Sequence, residues 1–293
     1  MHINYRCTFA SSKQQYMKKH LILPIASLTA VMLAFTACDR SEEEILTEPD
    51  PTSAKTSAEA TKTFDDVAMM TEEATVEYMD NPDYDTYTFG PCVTVLHDSI
   101  NTILTFDLGT TGCVGLDGHM RKGKIIVDYN GVPREPGCTL SITLEDFSVD
   151  GYSVSGTLTY QAVDYNTSGD LEIAYAVDNG IYTEPDGDVV TFECERTVTW
   201  TEGAGSEDLY DDVFTTNGAF TATLNGDAYS GATVNDIVFK SACWADGIYY
   251  PVSGTWQLNF PDGINRVIDY GNGDCDKTVV ITVGLRDYTY QLP

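Results

Sequence analysis

Thr139-Leu140-Ser141-Ile142-Thr143-Leu144 and, past Asp150-Gly151, Tyr152-Ser153-Val154-Ser155-Gly156-Thr157-Leu158-Thr159-Tyr160 alternate polar and apolar side chains at a period of two. That period sends successive side chains to opposite faces of a pleated strand, and Thr, Val, Ile and Tyr favour such a half-buried surface. Asp150-Gly151 between the two runs supplies the positive φ angles of a tight hairpin. The same pattern recurs outward from this point, as in Lys124-Ile125-Ile126-Val127-Asp128-Tyr129. Asn130-Gly131, Asn179-Gly180, Asn217-Gly218, Asn225-Gly226 and Asp246-Gly247 predict further hairpin turns, and Pro185-Asp186-Gly187 and Pro261-Asp262-Gly263 predict turns by another route. The expected class is therefore all-β, an antiparallel meander of hairpins; a curved sheet, a sandwich and an open barrel all fit it. One short helix is expected over 59–82, where Phe64, Val67, Ala68, Thr71, Ala74, Thr75 and Tyr78 fall at helical spacing and Asn81-Pro82 ends the run.

A repeat sits near each end of the β-rich region. Phe106-Asp107-Leu108-Gly109 leads over three residues to Cys113, and Ile268-Asp269-Tyr270-Gly271 leads over three to Cys275. Each has another cysteine upstream, Cys92 or Cys243. The repeat predicts two pseudo-equivalent modules, near 83–180 and 181–293, stapled Cys92–Cys113 and Cys243–Cys275. A staple over such a loop stabilises by ~3–4 kcal/mol in the chain-entropy model. Cys138 and Cys194 are left to pair by elimination.

The N-terminus reads as an address. From a start at Met17, Lys18 and Lys19 form a positive region, and Leu21 to Ala37 form an apolar run closing in Phe35-Thr36-Ala37-Cys38. This is the pattern of a secretory signal peptide over residues 1–37, and small residues before Cys38 resemble the lipobox of bacterial lipoproteins. The resemblance implies acylation of Cys38, and two or three acyl chains at ~0.8 kcal/mol per buried methylene hold a protein on a membrane almost permanently. Residues 38–58 read as a self-repelling acidic linker that opens Asp39-Arg40-Ser41-Glu42-Glu43-Glu44. That acidic cluster resembles the surface-export signal of Bacteroidota lipoproteins. The expected location is the outer membrane, on its cell-surface or periplasmic face. An oxidising compartment also suits six remaining cysteines.

Charge narrows the partners. The chain carries 16 Lys+Arg against 45 Asp+Glu, a net −29. Without residues 1–37 it keeps 12 Lys+Arg against the same 45 acids, a net −33. A field of that sign repels phosphate backbones, which excludes nucleic acid as a partner. Two histidines lie beyond residue 37, His97 and His119, with no Gly-x-Ser-x-Gly elbow, so nucleophilic catalysis through a histidine base has little support. Clustered hard oxygen donors at Asp186 and Asp188, and at Asp274 and Asp276, are weak calcium candidates; Asp83-Tyr84-Asp85 and Asp208 with Asp211-Asp212 are of the same kind. Glu193, Glu195 and Glu202 around Trp200, and Asp269 beside Tyr270, are carboxylates set near aromatics. Among the tryptophans, Trp244 and Trp200 are the candidates for stacking on a ligand, with Trp244 expected to be exposed near its turn.

Thr110-Thr111-Gly112-Cys113-Val114-Gly115-Leu116-Asp117-Gly118-His119-Met120-Arg121, Arg134-Glu135-Pro136-Gly137, Asp211-Asp212-Val213-Phe214 and Ile268-Asp269-Tyr270-Gly271-Asn272-Gly273-Asp274-Cys275-Asp276 together resemble a family of uncharacterised Bacteroidota lipoproteins. The resemblance runs from about Cys92 to the C-terminus. It implies a β-rich exported lipoprotein and carries no activity with it; Cys138 stands where that family suggests a small residue such as Ser. The function expected is a non-enzymatic binding or structural module, held to the membrane by its lipid and facing a glycan or protein ligand. The alternatives are a carbohydrate-active hydrolase using an Asp/Glu pair and a fimbrial or adhesin-type subunit.

Overall fold

Among the described residues, thirteen antiparallel strands follow one another in strict sequence order in a single sheet, each bonded to its neighbours in the chain. They are β1 (Thr94–Asp98), β2 (Ile103–Val114), β3 (Met120–Tyr129), β4 (Thr139–Val149), β5 (Tyr152–Tyr165), β6 (Leu171–Thr183), β7 (Val189–Glu202), β8 (Val213–Leu224), β9 (Asp227–Lys240), β10 (Ser253–Asn259), β11 (Asn265–Asn272), β12 (Thr278–Val283) and β13 (Arg286–Gln291). The computed structural model describes residues 50–82, 88–206 and 208–292, so the stretch expected to be a signal peptide, Cys38, Asp83 and Asp85 lie outside it. Among the described residues β1 pairs only with β2 and β13 only with β12, so the meander is a curved, unclosed sheet. The alternation read from sequence is the burial pattern: in β7, Val190, Phe192, Cys194, Arg196 and Val198 face inward, while Thr191, Glu193 and Glu195 face out.

What the sheet curves around is the helix. α1 spans Thr52–Asp80, 29 residues or about 43 Å at 1.5 Å per residue. It is longer than expected and begins inside the stretch read as linker. The Asp50 carboxylate starts it by accepting hydrogen bonds from the Thr52 N–H at 3.0 Å and hydroxyl at 2.6 Å. Twenty of its residues are buried, on every face, including Thr56 and Ser57 in the supposed linker. Enclosure by the sheet overrides the weak helix propensity of Thr and Ser. Contacts reach α1 from all around: Phe64 stacks on Phe192 of β7 at 5.0 Å, Tyr78 meets His97 of β1 edge-on, and the Lys62 ammonium lies 4.3 Å from the centre of the Tyr250 ring. Among the described residues no helix is long and apolar enough to cross a membrane.

Four of the six expected Asn-Gly and Asp-Gly hairpin turns prove to be something else. Asn130-Gly131 opens the long β3–β4 connection with neither residue at positive φ, Asp246-Gly247 closes the 3₁₀ turn Ser241–Asp246, and two more lie within strands. Asp150-Gly151 and Asn225-Gly226 do turn β4 into β5 and β8 into β9, with φ of +50° and +92°, and +52° and +95°. Asn179-Gly180 and Asn217-Gly218 instead lie inside β6 and β8, where the register slips. A Cβ on Gly180 would sit 3.0 Å from the Phe64 ring and 2.6 Å from the Phe192 carbonyl oxygen. One on Gly218 would sit 2.8 Å from the Arg196 Cα. These bulges bend long strands and leave room for the helix contacts beneath them.

Cys92–Cys113 and Cys243–Cys275 are bonded as the repeat predicts. The two motifs also share a local geometry: the Gly109 N–H donates to Asp107 Oδ1 at 2.9 Å, and the Gly271 N–H to Asp269 Oδ1 at 2.8 Å. The sheet runs unbroken between them, passing 180/181 within β6, so the repeats mark the two ends of one body. The third expected bridge does not form. Cys138 and Cys194 are free and buried. Cys138 leads into β4 and Cys194 lies on β7, three strand spacings or ~14 Å away, well beyond disulfide reach.

Candidate functional site

The chain's chemistry concentrates where the helix meets the inner face of the sheet. Asp65 and Asp66, then Glu72 and Glu73 one heptad later, present acidic doublets along α1, and three arginines converge on them. From the middle of β7, Arg196 Nη1 donates to both Asp65 oxygens at 2.7 and 2.9 Å. Its guanidinium lies 4.7 Å from the Trp256 ring centre, with Phe192 and Tyr175 at 5.6 and 5.7 Å. Burial drives the Asp65 carboxyl upward and Arg196 works against it. From the start of β3, Arg121 Nη2 bridges Asp66 at 2.9 Å and Asp117 at 2.7 Å. Burial raises the Asp117 carboxyl, but the Arg121 hydrogen bonds and charge outweigh it and hold the group below the usual range.

The third cluster joins three carboxylates to one guanidinium. Arg134, in the β3–β4 connection, reaches Glu72 through Nε at 2.7 Å and Nη2 at 2.8 Å, Glu73 at 3.1 Å, and Asp212 through Nη1 at 3.2 Å. The Trp200 indole N–H donates to the other Asp212 oxygen at 2.9 Å, and the guanidinium lies 4.9 Å from the Trp200 ring centre. All four ionic side chains are at most 9% exposed. Burial, reinforced by Glu72, Glu77 and Asp212 and opposed by Arg134, pushes the Glu73 carboxyl up to about 8.

A carboxyl raised from 4.5 to about 8 makes stability depend on pH. Between those values the folded chain keeps a proton that the unfolded chain has released. Glu73's contribution is complete below pH 4.5 and is lost as pH climbs through 8. Urea midpoints should therefore fall from pH 5 to pH 8.5. The loss of unfolding free energy should be a few kcal/mol at most, since a tenfold change in proton affinity corresponds to ~1.4 kcal/mol. Glu73→Gln should flatten that fall; an unchanged slope in the variant refutes the assignment.

Between helix and sheet lies a cavity of about 30 Å³, bordered by Asp65, Met69, Glu72, Tyr160, Tyr175 and Phe239 among others. It has room for one or two waters, and the buried Tyr175 hydroxyl beside it has no hydrogen-bond partner among the described residues. The larger concavities are outside. Two shallow grooves of about 510 and 570 Å³ adjoin on the outer face of β7–β10, sharing Glu193, Thr221, Ser230 and Asn259. Asp178 and Glu195 line the first, and neither groove contains a Lys or Arg.

The other residues singled out from sequence are scattered. Trp244 is 8% exposed and stacked on Tyr249 at 5.4 Å, because the 3₁₀ turn Ser241–Asp246 folds it into the core; it is not the exposed aromatic expected. Trp200 is half-buried and engaged by Arg134 and Phe214, so neither tryptophan offers a free face. Glu184, Asp186 and Asp188 place carboxylate oxygens within 4.8 Å of one another on the β6–β7 turn, the only such group among the described residues. Asp186 there accepts the Asp188 N–H, an ordinary turn contact. Asp274 and Asp276 form no such group; Asp276 accepts the Thr278 N–H at 2.7 Å. His97 bonds Tyr129 at 2.6 Å and His119 bonds Asp150, two separate contacts.

Sequence reasoning passed over Asp65, Asp66, Glu72, Glu73, Arg121, Arg134 and Arg196 as site residues. A signal was there: acidic doublets seven residues apart on a helix, in a chain with only five arginines beyond residue 50. No protein-family model, no curated protein and no solved structure matches this chain.

Proposed function

We propose that this chain is a lipid-anchored protein of the cell envelope, acylated at Cys38, whose β-rich body is a non-enzymatic binding or structural module. The family resemblance to exported Bacteroidota lipoproteins belongs to the same proposal. The observation that carries the binding reading is the division of labour between the two faces of the sheet. The inner face is filled by the chain's own helix, and Asp65, Asp66, Glu72, Glu73, Asp117 and Asp212 are all tied to guanidinium groups. What a ligand can reach is the outer groove, bordered by hydroxyls, an amide and three carboxylates, a lining suited to a neutral polyhydroxyl ligand such as a glycan.

One observation favours the hydrolase as a second reading. Glu193 and Glu195 lie two residues apart on the outer face of β7 and line the same groove, ~7 Å apart along the strand, within the span a carboxylate pair uses on a glycosidic bond. Glu193 Oε1 accepts the Asn179 N–H at 2.9 Å, which holds it in place.

The test is a glycan array with the chain from residue 38 onward carrying Cys38→Ala, followed by product analysis on every hit. Binding without turnover, lost in Glu193→Gln, supports the module. Turnover lost in the same variant replaces it with the hydrolase, and no binding at all removes the groove. Labelling with an alkynyl fatty acid should mark the wild type and not Cys38→Ala; equal labelling removes the anchor.

A further inference from the structure

The Arg134 cluster has an unbalanced charge and sits where two connections of the sheet meet the helix. With all groups ionised, Glu72, Glu73 and Asp212 surround one guanidinium and leave a net −2 in a region shielded from water. One proton on the cluster halves that excess. The groups facing Glu73 are Glu72 and Glu77 on α1, Arg134 from the β3–β4 connection, Asp212 from the β7–β8 connection, and Tyr249 beyond the 3₁₀ turn Ser241–Asp246. Tyr160 of β5 also faces Glu73, along with Glu72, Arg134 and Asp212. Arg134 is therefore the one cation in this set, and burial with like-charged neighbours makes Glu73 the member that keeps a proton near neutral pH.

The segment 130–138 that carries Arg134 is tied to the sheet at its ends. The Thr139 N–H donates to Asn130 Oδ1 at 2.7 Å, and the Gly137 N–H donates to the Ala162 carbonyl at 2.7 Å. Between those ties Arg134 itself has a φ of +64°, a left-handed conformation that costs a side chain about 1 kcal/mol. Beneath it a second small cavity, about 10 Å³, is bordered by Glu72, Arg134, Cys138 and Tyr160. Glu72 and Tyr160 also border the interior cavity, so they form the partition between the two.

We propose that residues 130–138 are a strap over the small cavity beneath Arg134, and that ionisation of Glu73 parts the strap from the helix and admits water to the cluster. The helix cannot yield, because Arg121, Arg196 and the Phe64–Phe192 stack hold it elsewhere. The elements free to separate are the two connections that meet at Arg134. Admitting water solvates the excess charge while the hydrogen bonds at the ends of the strap stay made. Cys138, a free buried thiol bordering the same small cavity, reports the opening, and Cys194 in the middle of β7 reports unfolding of the whole sheet.

N-ethylmaleimide labelling of the exported chain, quantified thiol by thiol by peptide mass spectrometry, tests this at pH 6 and pH 9. At pH 9 Cys138 should react at least tenfold faster in the wild type than in Glu73→Gln, with Cys194 slow in both. At pH 6 the two proteins should label alike. Equal Cys138 rates at pH 9, or Cys194 rising in step with Cys138, overturns the strap. Hydrogen exchange on the wild type alone gives a second measure. Protection of the Cys138 amide, which donates to the Glu135 carbonyl inside the strap at 3.0 Å, should drop by more than the intrinsic base-catalysed rate between pH 7 and 9, while that of core amides in β6 and β7 does not. A uniform change across these amides overturns the proposal as well.

Discussion

Arg196→Ala should lower the unfolding free energy by about 3–5 kcal/mol, because it strands the Asp65 carboxylate in the core. Arg196 is 4% exposed, and among the described residues Asp65 has no other ion-pair partner, so the one or two waters that fit the adjoining cavity are all that can replace the lost charge. The cost belongs to the orphaned charge rather than to the worth of the pair, which the double variant separates. Asp65→Leu with Arg196→Met fills the same space with apolar groups against Trp256, Phe192 and Tyr175 and should recover most of the loss. Urea denaturation of the three variants decides the matter. A double variant as unstable as Arg196→Ala would show that the ion pair itself, and not its isolation, holds the helix.

Phe64→Ala should cost about 3–5 kcal/mol, the range for removing a fully buried aromatic side chain. Phe64 is fully buried, lies nearly parallel to Phe192, and sits against the backbone opening left by Gly180. No side chain at Gly180 can swing in to refill the gap, so little relaxation is expected. Phe64→Leu should cost well under half as much. Matching thermal midpoints for wild type and Phe64→Ala would mean that the helix is not part of the cooperative unit. In that case the sheet would stand without its central element.

The Asn-Gly and Asp-Gly pairs show where local information stops. Asp150-Gly151 and Asn225-Gly226 turn hairpins, because both of their residues take positive φ and the strands on either side pair back on each other. Asn179-Gly180 and Asn217-Gly218 carry the same local preference for positive φ, with Asn179 and Gly218 at +53° and +146°. There the chain uses that preference to bulge a long strand around Phe64 and Arg196. A dipeptide specifies its backbone angles but not whether the strand continues beyond it. Helix α1 makes the same point. Its Asn81-Pro82 stop was legible, while its first two turns looked like linker because Thr and Ser gain helicity only from enclosure by distant strands.

The candidate site was legible in its ingredients rather than in its pairing. Trp244 looked exposed because it neighbours a turn, and the fold carries that turn inward onto Tyr249. Cys138 and Cys194 looked paired because an even count in an oxidising compartment favours bridges, and three strand spacings keep them apart. Cys92–Cys113 and Cys243–Cys275 could be read directly, because each closes a short loop, over 21 and 32 residues, within a repeated motif.

Strand periodicity, turn chemistry, the two short-range bridges and the acidic excess followed from the residues alone, since each depends on neighbours close along the chain. The identity of the core did not. Asp65 meets Arg196 across 131 positions, and Glu72 meets Arg134 across 62. Whether a carboxylate on a hydrophilic helix faces water or a buried guanidinium depends on how far thirteen strands curl, and that is set by bulges and packing spread over the entire sheet.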